Sequence, residues 1–156
     1  MPLGITRGYS SETFTWHTAR TIRQKIRDGK QCWIYQMGDH DPSGVDGWRA
    51  FRSRVTDFLI DWGITPEDHV TFKRLAVTPA QIETLGLPTR PTKPSDSRSA
   101  GFVGESVEVD AIPANRLRAI VKNAILRHID SRALELQRSA EESERELLTD
   151  IRSLVA

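Results

Sequence analysis

The feature that most constrains the fold is an apolar run that stops abruptly at a polar, glycine-containing segment. Five of the seven residues from Gln31 to Met37 are apolar or aromatic, and Gly38-Asp39-His40-Asp41-Pro42-Ser43-Gly44 follows directly. Such a run is typical of a strand that is covered on both faces in a parallel sheet. It predicts a central strand, and it directs attention to the segment after Met37, because open α/β sheets bind ligands at the carboxyl ends of their strands.

Strands and helices are predicted to alternate around this run. Gly4 to Thr6 is a candidate first strand, and a helix is predicted from an N-cap at Ser10 to Gly29. The remaining elements are a helix from Pro42 to Gly63, a strand from Val70 to Val77, a short helix from Pro79 to Gly86, a last strand at Val107 and Val109, a helix opened by Pro113 and a charged helix beyond Asp130. This order predicts an α/β fold with a mostly parallel sheet and helices on both faces.

Length and composition predict one compact domain with an appended helix. The chain has 156 residues, of which 38% are hydrophobic and 28% charged, as in ordinary globular domains. We assign residues 1–130 to the α/β domain and 131–156 to a C-terminal helix. The single cysteine, Cys32, cannot form an internal disulfide, and no apolar stretch approaches a membrane span. A cytoplasmic protein without a membrane partner is therefore expected.

The charge distribution is uneven although the formal net charge is only +1. Basic residues dominate the first thirty positions, and acidic residues gather in the last predicted helix. Two interpretations stay open: either the basic end faces phosphates, or both segments are solvated helix faces.

Asp39 and Asp41 are the candidate metal ligands. On a flat strand they would point to opposite faces, but Gly38 and Pro42 permit a turn that brings both carboxylates to one point. Carboxylates together with water are the ligands that Mg²⁺ prefers, and Mn²⁺ is the alternative. Ser43 begins the following helix, whose N-terminus attracts phosphate. The competing interpretation is a turn that only caps this helix.

The segment Gly38–Gly44, following an apolar strand, resembles the Asp-x-Asp motif of Toprim domains. The form with a following Pro-x-Gly resembles that of the A subunit of DNA topoisomerase VI and the meiotic strand-break enzymes. Further similarity lies in Arg7–Ser11, Trp62–Asp68 and Val107–Ala111, so that it spans roughly residues 3 to 130. The resemblance implies a Toprim-like, Rossmann-like fold and magnesium-dependent phosphodiester chemistry on DNA or RNA, as in a topoisomerase or nuclease.

One position departs from the family pattern. The resemblance implies a catalytic glutamate just before the glycine of the first-strand turn, and Arg7 stands there. The candidate catalytic replacements are Glu12 at the start of the first predicted helix and Glu108 or Asp110 at the last predicted strand. Each of the three also has an interpretation as an ordinary surface acid. The tyrosine nucleophile of the topoisomerases lies in a separate domain, so a separate nucleophile-bearing protein or a homo-oligomer is a candidate partner.

The proline-rich basic segment from Leu87 to Gly104 lacks periodicity and is a candidate functional loop. We expect Arg7, Lys93 and Arg98, together with Ser43, to contact nucleic-acid phosphates. Two functions stay open: a metal-dependent enzyme or enzyme domain, and a catalytically disabled Toprim-like module that binds nucleic acid or supports assembly.

Overall fold

The computed structural model describes residues 3–5, 9–92, 102 and 104–155. They belong to two compact units, Met1–Ala114 and Asn115–Ala156. The first unit contains α1 (Glu12–Arg27), β1 (Cys32–Met37), α2 (Pro42–Asp61), α3 (Pro66–His69), β2 (Val70–Ala76), α4 (Pro79–Leu85) and a 3-10 helix (Val109–Ala111). It is followed by α5 (Ala114–Leu126) and α6 (Ser131–Val155). The protein is therefore an α/β protein in which helices predominate.

The sheet is small and parallel. Within the described residues it consists of β1 and β2, paired from Cys32 with Val70 to Met37 with Ala76. The parallel pairing was predicted. The prediction that β1 is a central strand was wrong, because among the described residues β1 pairs with β2 alone. The side chains of Trp33 and Met37 are 43% and 39% exposed, so the apolar run is not covered on both faces as a central strand requires.

Two further predicted strands are absent from the described residues. Residues 3–5 have no regular secondary structure, and Leu3 and Ile5 are 88% and 83% exposed. Near the other end, Val107 forms only an isolated antiparallel bridge, and a 3-10 helix begins at Val109. The alternation of Val107 and Val109 was misleading because the Val109 N–H is donated to a side chain, the Asp39 carboxylate, rather than to a strand.

One hydrophobic cluster of the first unit lies between α1, α2 and one face of the sheet. Its buried residues are Ala19 and Ile22 of α1 and Val55 and Leu59 of α2. Residues from one face of each strand pack against this cluster, namely Cys32 and Ile34 of β1 and Val70 and Phe72 of β2. The two helices were predicted from the sequence, although the N-cap of α1 is Ser11 and not Ser10.

The second unit contains the charged helix predicted beyond Asp130, which is α6. Its exposed apolar residues include Leu136, Leu147, Leu148 and Ile151. Across the described part of the chain, no helix is long and apolar enough to cross a membrane.

Candidate functional site

The segment Gly38–Gly44, which we call the aspartate turn, joins β1 to α2. Asp41 is the N-cap of α2, and its Oδ1 accepts a hydrogen bond from the Gly44 N–H at 2.5 Å. Asp39 Oδ1 accepts a hydrogen bond from the Val109 N–H at 2.7 Å. Each carboxylate therefore has one oxygen fixed by a backbone N–H group, which orients the side chain.

Gly44 permits a close approach within this turn. A Cβ atom at position 44 would lie 2.4 Å from the Asp39 carbonyl oxygen and 3.0 Å from Asp41 Oδ1. Since the first of these contacts is with backbone, relief of the clash requires the turn itself to move.

Replacing Gly44 by alanine is therefore expected to destabilise the first unit by about 1–3 kcal/mol, the usual cost of overpacking. Denaturant unfolding followed by tryptophan fluorescence measures the change. Ser53→Ala, at an exposed position of the same helix, is the control and should change stability by less than about 0.5 kcal/mol. Equal stabilities of the two variants would contradict the close approach at Gly44.

Arg74 of β2 lies against the aspartate turn and binds its backbone. Its Nη2 donates to the carbonyls of Gly38, at 2.9 Å, and of Asp39. Its Nη1 donates to the Gly44 carbonyl at 3.3 Å, and its Nε to the Val77 carbonyl at 3.0 Å. One half-buried guanidinium therefore links both ends of the turn to the end of β2.

The positive charge of Arg74 partly compensates the negative charges of Asp39 and Asp41. Burial lowers the pKa of Arg74, while Asp41 and then Asp39 act in the opposite direction. An arginine keeps its charge in proteins at neutral pH, so the two carboxylates and the guanidinium sum to a net charge of −1.

His40 lies between the two aspartates in sequence but serves the fold. Its N–H donates to the Val107 carbonyl at 2.8 Å and its carbonyl accepts from the Val107 N–H at 2.9 Å. Its ring is buried against Phe102, with ring centroids 5.0 Å apart. Burial lowers the pKa of His40, and the nearby Arg74 lowers it further, against an opposing effect of Asp41. The imidazole is therefore expected to be neutral at pH 7.

The candidate catalytic acid Glu108 belongs to a segment that bonds to the aspartate turn. Its neighbours Val107 and Val109 both bond to the aspartate turn. Its own carboxylate is held by Arg90, with N–O distances of 2.6 and 3.2 Å, at an exposed position. The acid is therefore adjacent to the turn while its charge is engaged elsewhere.

Glu12 occupies a different part of the first unit. It lies in the first turn of α1 and lines an open cleft together with Thr13, Trp16, His17 and Phe58. Within the described residues, no hydrogen bond or ion pair joins Glu12 to the aspartate turn.

Of the four residues predicted to contact phosphate, the structure describes Ser43. Ser43 is half-buried in the first turn of α2, next to the N-cap region. Arg7, Lys93 and Arg98 lie outside the described residues.

The donor atoms of the aspartate turn fit a hard cation. Two carboxylates completed by water suit Mg²⁺, which retains several waters when protein ligands are few. Among the residues that the structure describes, no group of three or more His, Cys, Asp or Glu side chains is arranged to hold a metal ion. Asp39 and Asp41 are thus the candidate ligands that the described residues supply at this turn.

Arg74 was not identified from the sequence, although a signal was present. The strand predicted from Val70 has inward residues at Val70 and Phe72, and strict alternation would place position 74 inward as well. The apolar pattern instead resumes at Leu75, where the structure has a register shift: Gln36 pairs with Arg74 and Met37 with Ala76. A charged residue at the point where alternation fails marks both the bulge and the side chain that binds the turn.

No protein-family model, curated protein or solved structure matches this chain.

Proposed function

We propose that this protein is a Toprim-like domain in which Asp39 and Asp41 bind Mg²⁺ or Mn²⁺ and act on the phosphodiester bonds of DNA or RNA. One observation carries the proposal: both carboxylates belong to a single turn at the carboxyl end of β1, and each is oriented by a backbone N–H group. The Toprim resemblance of residues 38–44 supports the same assignment.

The division of labour among the side chains follows from their chemistry. Asp39 and Asp41 hold the metal, which when bound polarises a phosphoryl oxygen and activates water. Ser43, in the first turn of α2, contacts the phosphate, since the positive end of the helix dipole attracts anions. Arg7, Lys93 and Arg98 add cationic contacts to the nucleic-acid backbone.

Glu108 is the acid proposed to exchange protons with the substrate. It is supported by the bonds of its two chain neighbours to the aspartate turn. Arg90 binds its carboxylate at the surface, and an exposed ion pair contributes little stability and exchanges readily. Glu12, in the first turn of α1, is the second choice because no described contact brings it to the turn.

A second function, a catalytically disabled module that binds nucleic acid, is favoured by two observations. Arg7 stands where the resemblance implies a glutamate, and no third ligating side chain joins the two aspartates within the described part of the chain. In this alternative the metal and the basic residues serve binding or assembly, and any nucleophile comes from a partner protein or a second copy.

Nicking assays separate the two functions. Supercoiled plasmid and end-labelled RNA are incubated with the full chain in Mg²⁺, Mn²⁺ or EDTA. The enzyme hypothesis predicts metal-dependent cleavage that falls at least about 100-fold in the double variant Asp39→Asn with Asp41→Asn, because the metal supplies most of the chemistry. The matched control removes two charges from exposed positions of α2 instead, Asp57→Asn with Asp61→Asn, and should cleave like the wild type.

Absence of cleavage in the wild type, with retained binding of nucleic acid, would support the disabled module. Arg7→Glu then becomes the informative variant, since it restores the acid that the family resemblance implies. Cleavage gained by this variant identifies a disabled site. Neither cleavage nor binding in any variant would contradict both functions.

A further inference from the structure

We propose that Arg74 is the positioning residue of the aspartate turn: its guanidinium fixes the backbone geometry that lets Asp39 and Asp41 bind one metal ion. The inference rests on the proposed metal site. It assigns a role to a residue that lies on β2, outside the Asp-x-Asp motif, and that touches the backbone of the turn rather than its carboxylates.

The geometry of the hydrogen bonds supports this role. Three of the four carbonyls that accept from Arg74 belong to the turn, those of Gly38, Asp39 and Gly44, and the fourth is that of Val77. A guanidinium can satisfy so many acceptors because it presents five N–H groups in a rigid planar fork. A lysine at this position would carry the same charge on a single nitrogen and could not span the separated acceptors.

The positive charge of Arg74 cannot by itself explain a role in binding a metal ion. A positive group near the carboxylates lowers the attraction of the turn for a divalent cation, so the charge of Arg74 opposes metal binding. If the residue nevertheless favours metal binding, it does so by arranging the ligands. Arg74→Lys tests this directly because it preserves the opposing charge and removes the fork.

The experiment measures Mn²⁺ affinity of the folded full chain by the paramagnetic resonance signal of free Mn²⁺. We expect Arg74→Lys to raise the Kd for Mn²⁺ at least about tenfold while circular dichroism shows the folded state. The matched control is Arg54→Lys, because Arg54 is exposed and donates to one backbone carbonyl, that of Ser10 at 3.3 Å. Its Kd should equal that of the wild type.

Wild-type affinity in folded Arg74→Lys would overturn the positioning role and leave the metal site standing. Failure of the proposed function has a different signature: the wild type then binds no Mn²⁺, or binds it as well as the Asp39→Asn, Asp41→Asn double variant does.

A second measurement covers the case in which Arg74→Lys does not fold. Linkage is reciprocal, so a guanidinium that promotes metal binding must itself be held more firmly once metal is bound. In wild-type protein, saturating Mg²⁺ should slow the hydrogen exchange of the Arg74 Nε–H, which donates to Val77, by several-fold. An exchange rate that is unchanged by Mg²⁺ would contradict the proposal.

Discussion

Replacing Leu59 by alanine is expected to lower the free energy of unfolding of the first unit by roughly 3 kcal/mol. Leu59 is fully buried in the cluster formed with Ala19, Ile22 and Val55. The cost combines the lost burial of three carbon atoms with the cavity that they leave, and buried leucine-to-alanine changes cost about 2–5 kcal/mol. Native domains are stable by only about 5–15 kcal/mol, so this loss is a large fraction of the total. It is the largest effect of a single substitution on stability that we expect.

The neighbouring residue supplies the matched control for this variant. Ile60 follows Leu59 in α2 but is 54% exposed, so Ile60→Ala should cost no more than about 0.5 kcal/mol. All four tryptophans, at positions 16, 33, 48 and 62, belong to the first unit. Tryptophan fluorescence during denaturant unfolding therefore reports this unit alone. Similar losses for the two variants would contradict the orientation of α2.

The helices could be predicted from the sequence because their signals are local. Proline begins α2 at Pro42 and α4 at Pro79, and Thr78 caps α4 in a box with Gln81. Gly86 ends α4 with a positive φ of 56°, as a helix-terminating glycine does. Each signal depends on residues within a few positions of each other, so the chain far away does not alter it.

The sheet was predicted less well because strand pairing depends on distant residues. An apolar run such as Cys32–Met37 has the same sequence whether one or both of its edges are paired. Val107 and Val109 alternate with exposed residues as in a strand. The Val109 N–H nevertheless bonds to the carboxylate of Asp39, 70 residues away, and not to a neighbouring strand. No local pattern contains that contact.

In the candidate site, too, the residues with a local signal were predicted and the residue that depends on distant contacts was not. Asp39 and Asp41 were found because they are close in sequence and carry the chemistry of a metal ligand. Arg74 was missed because its role arises from the register of β2 against β1 and from carbonyls that every residue possesses. Side chains that act on backbone leave a weak trace in sequence, here only the break in alternation before Leu75.

Arg74 also changes one expectation about the aspartates. Considered alone, two carboxylates in one turn repel each other, and replacing both by asparagine should stabilise the metal-free protein. The guanidinium of Arg74 is half-buried and is compensated by both carboxylates. Removing them leaves this charge uncompensated, so we expect the double variant without metal to be less stable than the wild type.

The metal response of the wild type should disappear in the double variant Asp39→Asn with Asp41→Asn. A metal that binds only the folded state stabilises it by about 2.7 kcal/mol at a concentration 100 times the Kd, which corresponds to roughly 10 °C in the melting temperature of a unit of this size. Asparagine keeps a carbonyl oxygen for the Gly44 and Val109 N–H groups and is itself a good N-cap. The substitution therefore removes the two charges while preserving the acceptors that shape the turn.

Thermal melts followed by tryptophan fluorescence, with and without Mn²⁺, measure this response. Asp57→Asn with Asp61→Asn removes the same amount of charge from exposed positions of α2, and its melting temperature should rise with Mn²⁺ as in the wild type. Non-specific attraction of Mn²⁺ to an acidic surface would reduce the response of both double variants equally. A rise in melting temperature in the wild type and the α2 control, but not in the Asp39→Asn, Asp41→Asn variant, assigns the metal to Asp39 and Asp41. Equal rises in all three proteins would mean that the aspartate turn only begins α2 and binds no metal.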